Sequence, residues 1–292
     1  LVEMSIKKLL RELALRPKKG LGQHFLVSEG ALQRVVEAAE LSSADVVLEI
    51  GPGLGSLTHL LAAQAGHVVA VELDPQMVDV LRRELAGQGN VTITQGDILS
   101  LAPGELVEPF HRRLAARQYK VVANLPYYIT SAILRHLLTA REPPQVIVVT
   151  VQREVARRIV AGPGKMSLLA VSVQFYGQPR IVTRIPAGAF YPVPKVDSAV
   201  VRIDRHEQPV VAVADAGRFF AVVRAGFGQR RKQLRNSLTA GLGRPVAEIE
   251  AALHRAGIEP RRRAETLSLA EWGKLYGALE GERQGPPTKI AG

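Results

Sequence analysis

The apolar run Val46-Val47-Leu48-Glu49-Ile50 leads directly into Gly51-Pro52-Gly53-Leu54-Gly55. Leu57, Leu60, Leu61 and Ala65 then recur at helical spacing. Strand, glycine turn and helix in that order leave few folds open. They form the first unit of a doubly wound α/β domain, whose glycines let the backbone approach a ligand at the carboxyl end of the strand. The spacing is G-x-G-x-G, not the G-x-G-x-x-G of dinucleotide sites. Pro52 also takes a donor out of the turn, which makes it a poor pyrophosphate cradle. A nucleoside ligand without phosphates fits better.

The pattern repeats. His67-Val68-Val69-Ala70-Val71 reads as a second strand, with Glu72 at its end and Asp74-Pro75 starting the next helix. Glu72 stands where a carboxylate accepts hydrogen bonds from ribose hydroxyls. A third strand, Val91 to Thr94, leads to Gly96-Asp97-Ile98, and Asp97 can accept from an adenine amine. Each acid taken alone reads more readily as a helix N-cap. Polar features at three successive strand ends point jointly to a bound nucleoside.

A further apolar run, Tyr119-Lys120-Val121-Val122, ends in Ala123-Asn124-Leu125-Pro126-Tyr127-Tyr128. The Asn124 amide oxygen can accept one hydrogen of an exocyclic amine. The carbonyl of Leu125 or Pro126 can accept the other, the proline fixing the turn that aims it. Tyr127 or Tyr128 can lie against the face of a base. The plain alternative is a strand ending in a proline turn, with the tyrosines half-buried in the core.

Composition narrows the function classes. The absence of cysteine excludes disulfides, thiolate catalysis and cysteine-ligated zinc. The seven histidines are scattered without metal-ligand spacing, so no metal is expected. No apolar run approaches the roughly 20 residues of a membrane span, and the basic amino end lacks a signal core, so a soluble cytoplasmic protein is expected. The net charge of +11 is concentrated toward the carboxyl end, where residues 205–292 carry 15 Lys/Arg against 9 Asp/Glu. Lys7, Lys8, Arg11, Arg16, Lys18 and Lys19 form a second cluster. Two basic clusters flanking a base-sized pocket suit a polyphosphate such as RNA.

Strands are also expected at Val146–Val151, Arg180–Ile185 and Ser198–Ile203, for about seven in all. Glu154–Ile159 and Ser167–Tyr176 read as helices. From Asp215 onward the apolar period is helical only, punctuated by Gly241, Gly243, Pro245, Gly257 and Pro260. The chain thus divides into an α/β domain over residues 1–204, with a basic amino-terminal extension, and a small all-helical domain over 205–292. A disordered tail is expected from Gly281.

These features resemble the S-adenosylmethionine-dependent methyltransferases, with their Rossmann-like sheet, and among them the ribosomal RNA adenine dimethyltransferases. The resemblance rests on Gly20-Leu21-Gly22-Gln23-His24-Phe25-Leu26, Glu49 to Gly53, Val71 to Asp74, Gly96-Asp97 and Asn124 to Tyr127. It continues through Gln152 to Val155, Phe190 to Val200, Gln229 to Lys232 and Arg235 to Leu238. The Pro-x-Pro-Lys-Val-Asp-Ser and Gln-Arg-Arg-Lys stretches are its narrowest parts. His24 stands where many members carry Asn, and Ser167-Leu168 stands in a shortened segment where a Gly-Arg pair is common.

The resemblance implies dimethylation, with S-adenosylmethionine, of two adjacent adenosines in a hairpin near the 3′ end of small-subunit rRNA, in pre-30S particles. It implies catalytic roles for Asn124, Leu125, Pro126 and Tyr127. It also implies cofactor contacts from His24, Leu26, Gly51, Gly53, Glu72, Asp97 and Asn124. RNA contacts are expected from Arg230, Arg231, Lys232, Arg235 and Lys195, and the protein is expected to act as a monomer. Arg231 and Arg235, four apart, are expected to share a helix face. One arginine, Arg231 foremost, can alternatively clamp the two domains. A large-subunit rRNA adenine methyltransferase of the antibiotic-resistance type, or an assembly factor with dispensable catalysis, are the competing readings.

Overall fold

A computed structural model describes residues 10, 17–18, 20, 22–114 and 118–281. Lys7, Lys8, Arg11, Arg16 and Lys19, and the tail beyond Gly281, lie outside the described residues. By packing, the chain divides into two compact units, Leu1–Arg157 with Gln178–Arg205, and Arg158–Gly177 with His206–Gly292. No helix among the described residues is long and apolar enough to cross a membrane.

The short strand β1 (Phe25–Leu26) precedes α1 (Glu29–Ala39). Strands and helices then alternate through β2 (Val46–Ile50), α2 (Ser56–Ala62), β3 (His67–Glu72), α3 (Pro75–Glu84) and β4 (Val91–Gln95). They continue with α4 (Pro103–Leu114), β5 (Tyr119–Asn124), α5 (Thr130–Leu138), β6 (Val146–Gln152) and α6 (Arg153–Ile159). After α7 (Leu168–Tyr176) come β7 (Gly177–Ile185), β8 (Phe190–Tyr191) and β9 (Ser198–Arg205). The rest is helical: α8 (Ala216–Phe227), α9 (Leu234–Leu242), α10 (Val246–Arg255) and α11 (Leu269–Gly281).

Seven strands form one sheet in the order β4-β3-β2-β5-β6-β9-β7, so the strand count read from the sequence holds for this sheet. Neighbours from β4 to β6 run parallel, and β9 returns antiparallel along β6. Every residue of β2 and β3 is buried, as continuous apolar runs between helix layers require. Chain order reverses between β2 and β5, so the cleft beyond their carboxyl ends is where such a sheet takes a ligand. A separate pairing, β1 against β8, joins Phe25 to Tyr191 and Leu26 to Phe190. The sequence pattern did not show it, because two-residue strands have no periodicity to read.

The second unit has its own core around Phe175, Phe219, Leu238, Leu253 and Trp272. Helix α7, placed by the sequence within residues 1–204, packs here because Phe175 stacks on Phe219 at 4.9 Å. Ser167 caps α7, its Oγ accepting from the Ala170 N–H at 3.2 Å. The departure at Ser167-Leu168 therefore has a local structural use.

Candidate active site

The turn after β2 is shaped by glycines that no other residue replaces without strain. Gly51 and Gly53 have φ of 68° and 59°, a region side chains disfavour. A Cβ on Gly53 would also stand 2.8 Å from the Phe25 ring. Phe25 thus closes over the turn, and the Gly53 N–H is turned toward β3. It donates to Glu72 Oε2 at 3.1 Å, while the Asp74 N–H donates to Oε1 at 2.8 Å. Both carboxylate oxygens are held by backbone and each keeps a lone pair for a hydroxyl.

Burial pushes the Glu72 carboxyl above the usual carboxylate range, and the N–H groups of Asp74, Gly53 and Leu73 pull it back. Glu49, at the end of β2, has less help. It is 1% exposed, and burial lifts its pKa to about 8, with the charge of Glu72 adding to the effect. The nearby Thr58 hydroxyl counteracts this but makes no formed hydrogen bond, since Glu49 Oε2 and Thr58 Oγ1 both stand without a partner. An orphaned buried acid on a cleft wall is a place for a cation or a donor group.

Asp97 follows β4 and caps a short 3-10 turn, its Oδ1 accepting from the Leu99 N–H at 2.9 Å. The helix-cap reading of this acid is therefore correct for one oxygen, and Oδ2 has no partner among the described residues. Leu73 and Ile98 flank the two acids, Leu73 being 45% exposed on the cleft wall. They offer apolar faces to a flat ring, a role the sequence reading assigned to neither. Lys18, expected to face phosphate, is instead paired with the buried Asp74 at 2.8 Å. Gln23 Nε2 donates to the same carboxylate at 3.2 Å and its Oε1 accepts from the Lys18 N–H. These bonds tie Lys18 and Gln23 to the N-terminal cap of α3.

Asn124 ends β5 on the same cleft. Its Nδ2 donates to the His24 carbonyl at 2.8 Å, so the amide is turned and its Oδ1 is the free end. The Pro126 carbonyl is already taken by the Ile129 N–H at 3.3 Å and the Thr130 hydroxyl at 3.2 Å. Leu125, whose N–H donates to Thr150, has no hydrogen bond to its carbonyl among the described residues. Of the two backbone acceptors the sequence allowed, Leu125 is the available one, and Pro126 supplies the turn.

Tyr127 is half-buried, stacked on the His24 ring with centroids 5.6 Å apart, and its hydroxyl lies 2.7 Å from Ser198 Oγ. Burial raises the phenol pKa and the Ser198 contact opposes this, so it stays neutral at ordinary pH. His24 Nδ1 donates to the Pro192 carbonyl at 2.7 Å, which leaves Nε2 as its second ring position. Leu26 is buried in β1 beneath the cleft.

None of the predicted RNA contacts lines this cleft. Lys195 is exposed on the loop between β8 and β9. Arg230, Arg231 and Lys232 are exposed on the turn between α8 and α9. The helix begins only at Leu234, so Arg231 and Arg235 do not share a helix face. Three successive cations before a helix N-terminus oppose its dipole, which favours leaving them outside it. Arg235 pairs with Glu250 at 2.6 Å inside the helical unit, and Arg231 has no ion pair among the described residues.

Known proteins of related sequence fix the family. Residues 14–280 match the family model described as ribosomal RNA adenine dimethylase. The ribosomal RNA small subunit methyltransferase A of Dehalococcoides mccartyi strain 195 is 48% identical over 269 residues, which are 92% of this chain and 90% of that one. Its namesake in Moorella thermoacetica is 45% identical over 276 residues, 93% of this chain and 96% of the other. Among solved structures, the 23S rRNA methyltransferase ErmE is 30% identical with a TM-score of 0.67, covering 88% of this chain and 99% of that one. A dimethyladenosine transferase from Plasmodium falciparum shares the fold at a TM-score of 0.74 and 24% identity, over 89% of this chain and 98% of its own. With the strand-end acids, the oriented asparagine and nearly the full length accounted for, the chain belongs to the ribosomal RNA adenine dimethylase family.

Proposed function

We propose that this protein transfers methyl groups from S-adenosylmethionine to the N6 amines of two adjacent adenosines in a hairpin near the 3′ end of small-subunit rRNA. The observation that carries the reading is the Asn124 amide, its nitrogen held by the His24 carbonyl, with neither its oxygen nor the carbonyl of the following Leu125 partnered among the described residues. The cleft suits the cofactor by its donor set. Glu72 keeps two acceptor positions for ribose hydroxyls, Asp97 Oδ2 accepts from an adenine amine, and Leu73 and Ile98 cover the ring faces. Glu49 lies on the same wall with an unpartnered oxygen, and a cationic group bound beside it would favour its ionised form. His24, Leu26, Gly51 and Gly53 complete the lining.

The bound cofactor supplies a methyl group on a sulfonium, open to displacement by a nitrogen lone pair. The lone pair of adenine N6 is delocalised into the ring and attacks poorly. Asn124 Oδ1 and the Leu125 carbonyl accept its two hydrogens, which bends the nitrogen toward a pyramid and aims the lone pair. Pro126 fixes the turn that holds both acceptors, and Tyr127, braced by Ser198 and His24, lies against the base. The gain is orientation and preorganised electrostatics. No side chain need act as a base, because the alkylated nitrogen releases its proton to water. One hydrogen remains for the second transfer, so a single acceptor then holds the amine. The target leaves any stack to reach the cleft, as an unpaired loop nucleotide does readily.

The small-subunit assignment rests on the names of the relatives at 48% and 45% identity, against 30% for the 23S enzyme. Arg230, Arg231, Lys232 and Lys195 are the proposed phosphate contacts, with Arg235 bracing the turn from its pair with Glu250. The protein acts as a monomer on pre-30S particles in the cytoplasm. Incubation with tritiated S-adenosylmethionine and 30S particles lacking the modification should yield N6,N6-dimethyladenosine on nucleoside analysis. Label confined to another nucleoside would reject the adenine-N6 chemistry.

A further inference from the structure

Two adjacent tyrosines follow Pro126, and the fold sends them to opposite environments. Tyr127 is braced inward by Ser198 and His24. Tyr128 is 58% exposed, and its hydroxyl has no partner among the described residues. Yet its ring is not loose. It packs over the Gly22 turn, where a Cβ would lie 3.3 Å from Tyr128 Cδ1 and 4.0 Å from Pro126 Cβ. Tyr128 also lines the cleft that Asn124 and Tyr127 line, so it stands at the mouth. One part of the ring is seated on backbone and the rest is open to solvent.

The loop that follows Pro192 has a similar character. The loop from Pro192 to Asp197 is tied to the site at both ends, through Pro192 to His24 and through Ser198 to Tyr127, each at 2.7 Å. Between those ties it exposes Val193 at 63% and Val196 at 46%, with Lys195, which has no ion pair among the described residues, between them. An aromatic face at the cleft mouth, with exposed apolar side chains and one cation on a loop tied to the same site, matches an unstacked nucleotide, which has a π-face and a phosphate.

Resting on the function proposed above, we infer that Tyr128 is a stacking platform for the nucleotide next to the target, not for the target itself. Tyr127 faces the base inside the cleft. The neighbour is the next group along the strand, and it meets the mouth, where the seated ring loses little freedom on stacking. Two adjacent adenosines can then exchange places between platform and cleft. Tyr128 is thus a positioning residue for the second round, and Lys195 holds the phosphate of the nucleotide on the rim.

A double-mutant cycle on RNA tests this. The RNA is a short hairpin carrying the two adenosines, with the non-target neighbour either intact or abasic. Affinity is read by fluorescence anisotropy on wild type, Tyr128→Ala, Tyr128→Leu and Tyr128→Phe. Removing the neighbouring base should weaken wild-type binding about tenfold. Tyr128→Ala and Tyr128→Leu should bind the intact hairpin about tenfold more weakly and be indifferent to the abasic change, while Tyr128→Phe should match wild type. S-adenosylmethionine affinity by calorimetry and the melting temperature should be unchanged in Tyr128→Leu. Equal abasic losses in wild type and Tyr128→Leu would overturn the inference. So would a change in oligomeric state of Tyr128→Leu by light scattering, which would make the rim a contact between copies. Wild-type protein that binds S-adenosylmethionine but cannot methylate any ribosomal RNA would instead reject the function on which the inference rests.

Discussion

In the strand-end cleft, Glu72 carries a backbone N–H on each carboxylate oxygen and Asn124 has its amino group fastened to the His24 carbonyl. At the turn between α8 and α9, Arg230, Arg231 and Lys232 stand exposed with no ion pair among the described residues. The first region fixes each polar atom before a ligand arrives, so its contribution is geometric and resists salt. The second holds long side chains that adapt to a backbone, so its contribution is charge and falls with salt. Substitutions in the two regions should therefore fail in different ways.

The largest effect is expected at the fixed acceptor. Asn124→Ala should lower the single-turnover methylation rate by about 100-fold or more, some 2.7 kcal/mol of barrier, while calorimetric cofactor affinity stays within a few fold. A near-normal rate would remove Asn124 from the chemistry. Next comes Glu72→Ala, which should weaken S-adenosylmethionine binding at least tenfold, about 1.4 kcal/mol. Unchanged affinity in a titration would break the ribose assignment.

Glu49 sharpens the comparison through pH. Its folded-state pKa of about 8 lies above the unfolded value of 4.5, so the folded protein binds the extra proton between those limits. Stability from this group therefore declines as pH rises from about 4.5 to 8, and Glu72 shifts in the same sense. The ceiling is on the order of 1.4 kcal/mol per pH unit of separation. Glu49→Gln should melt several degrees above wild type at pH 8.5 and nearly level with it at pH 5. Parallel melting curves across that range would show that the acid is charged in the fold.

The smallest effect is expected at the adaptable turn. Arg230→Gln with Lys232→Gln should weaken RNA binding several-fold and make the log–log salt slope shallower by about 1–2. Cofactor affinity should not move. A lower melting temperature with an unchanged slope would make the turn a structural clamp and send the RNA face toward Lys195.

Much of the cleft was legible because parallel strands announce themselves as apolar runs and their carboxyl ends then follow by position. Glu72, Asp97 and Asn124 came from that rule together with what their side chains can accept. Less legible were groups whose meaning depends on contacts distant in sequence. The tie of His24 to Pro192, the tie of Tyr127 to Ser198 and the orphaned Glu49 oxygen join residues 71 to 168 positions apart or reflect a missing partner. Lys18 and Arg235 counted as free cations in the sequence, and only the fold shows the carboxylates that engage them. The helix expected to carry Arg231 starts three residues later, because local charge at its N-terminus outweighs spacing.

The central claim is that the strand-end cleft serves adenosines of the small subunit. Its most direct measurement offers 30S particles lacking the modification and unmodified 50S particles to the protein with labelled S-adenosylmethionine, and maps the label along each RNA. The account predicts label on two adjacent adenosines near the 3′ end of the 30S RNA, lost in Asn124→Ala. Label in the 50S RNA instead, or label that survives Asn124→Ala, would contradict it.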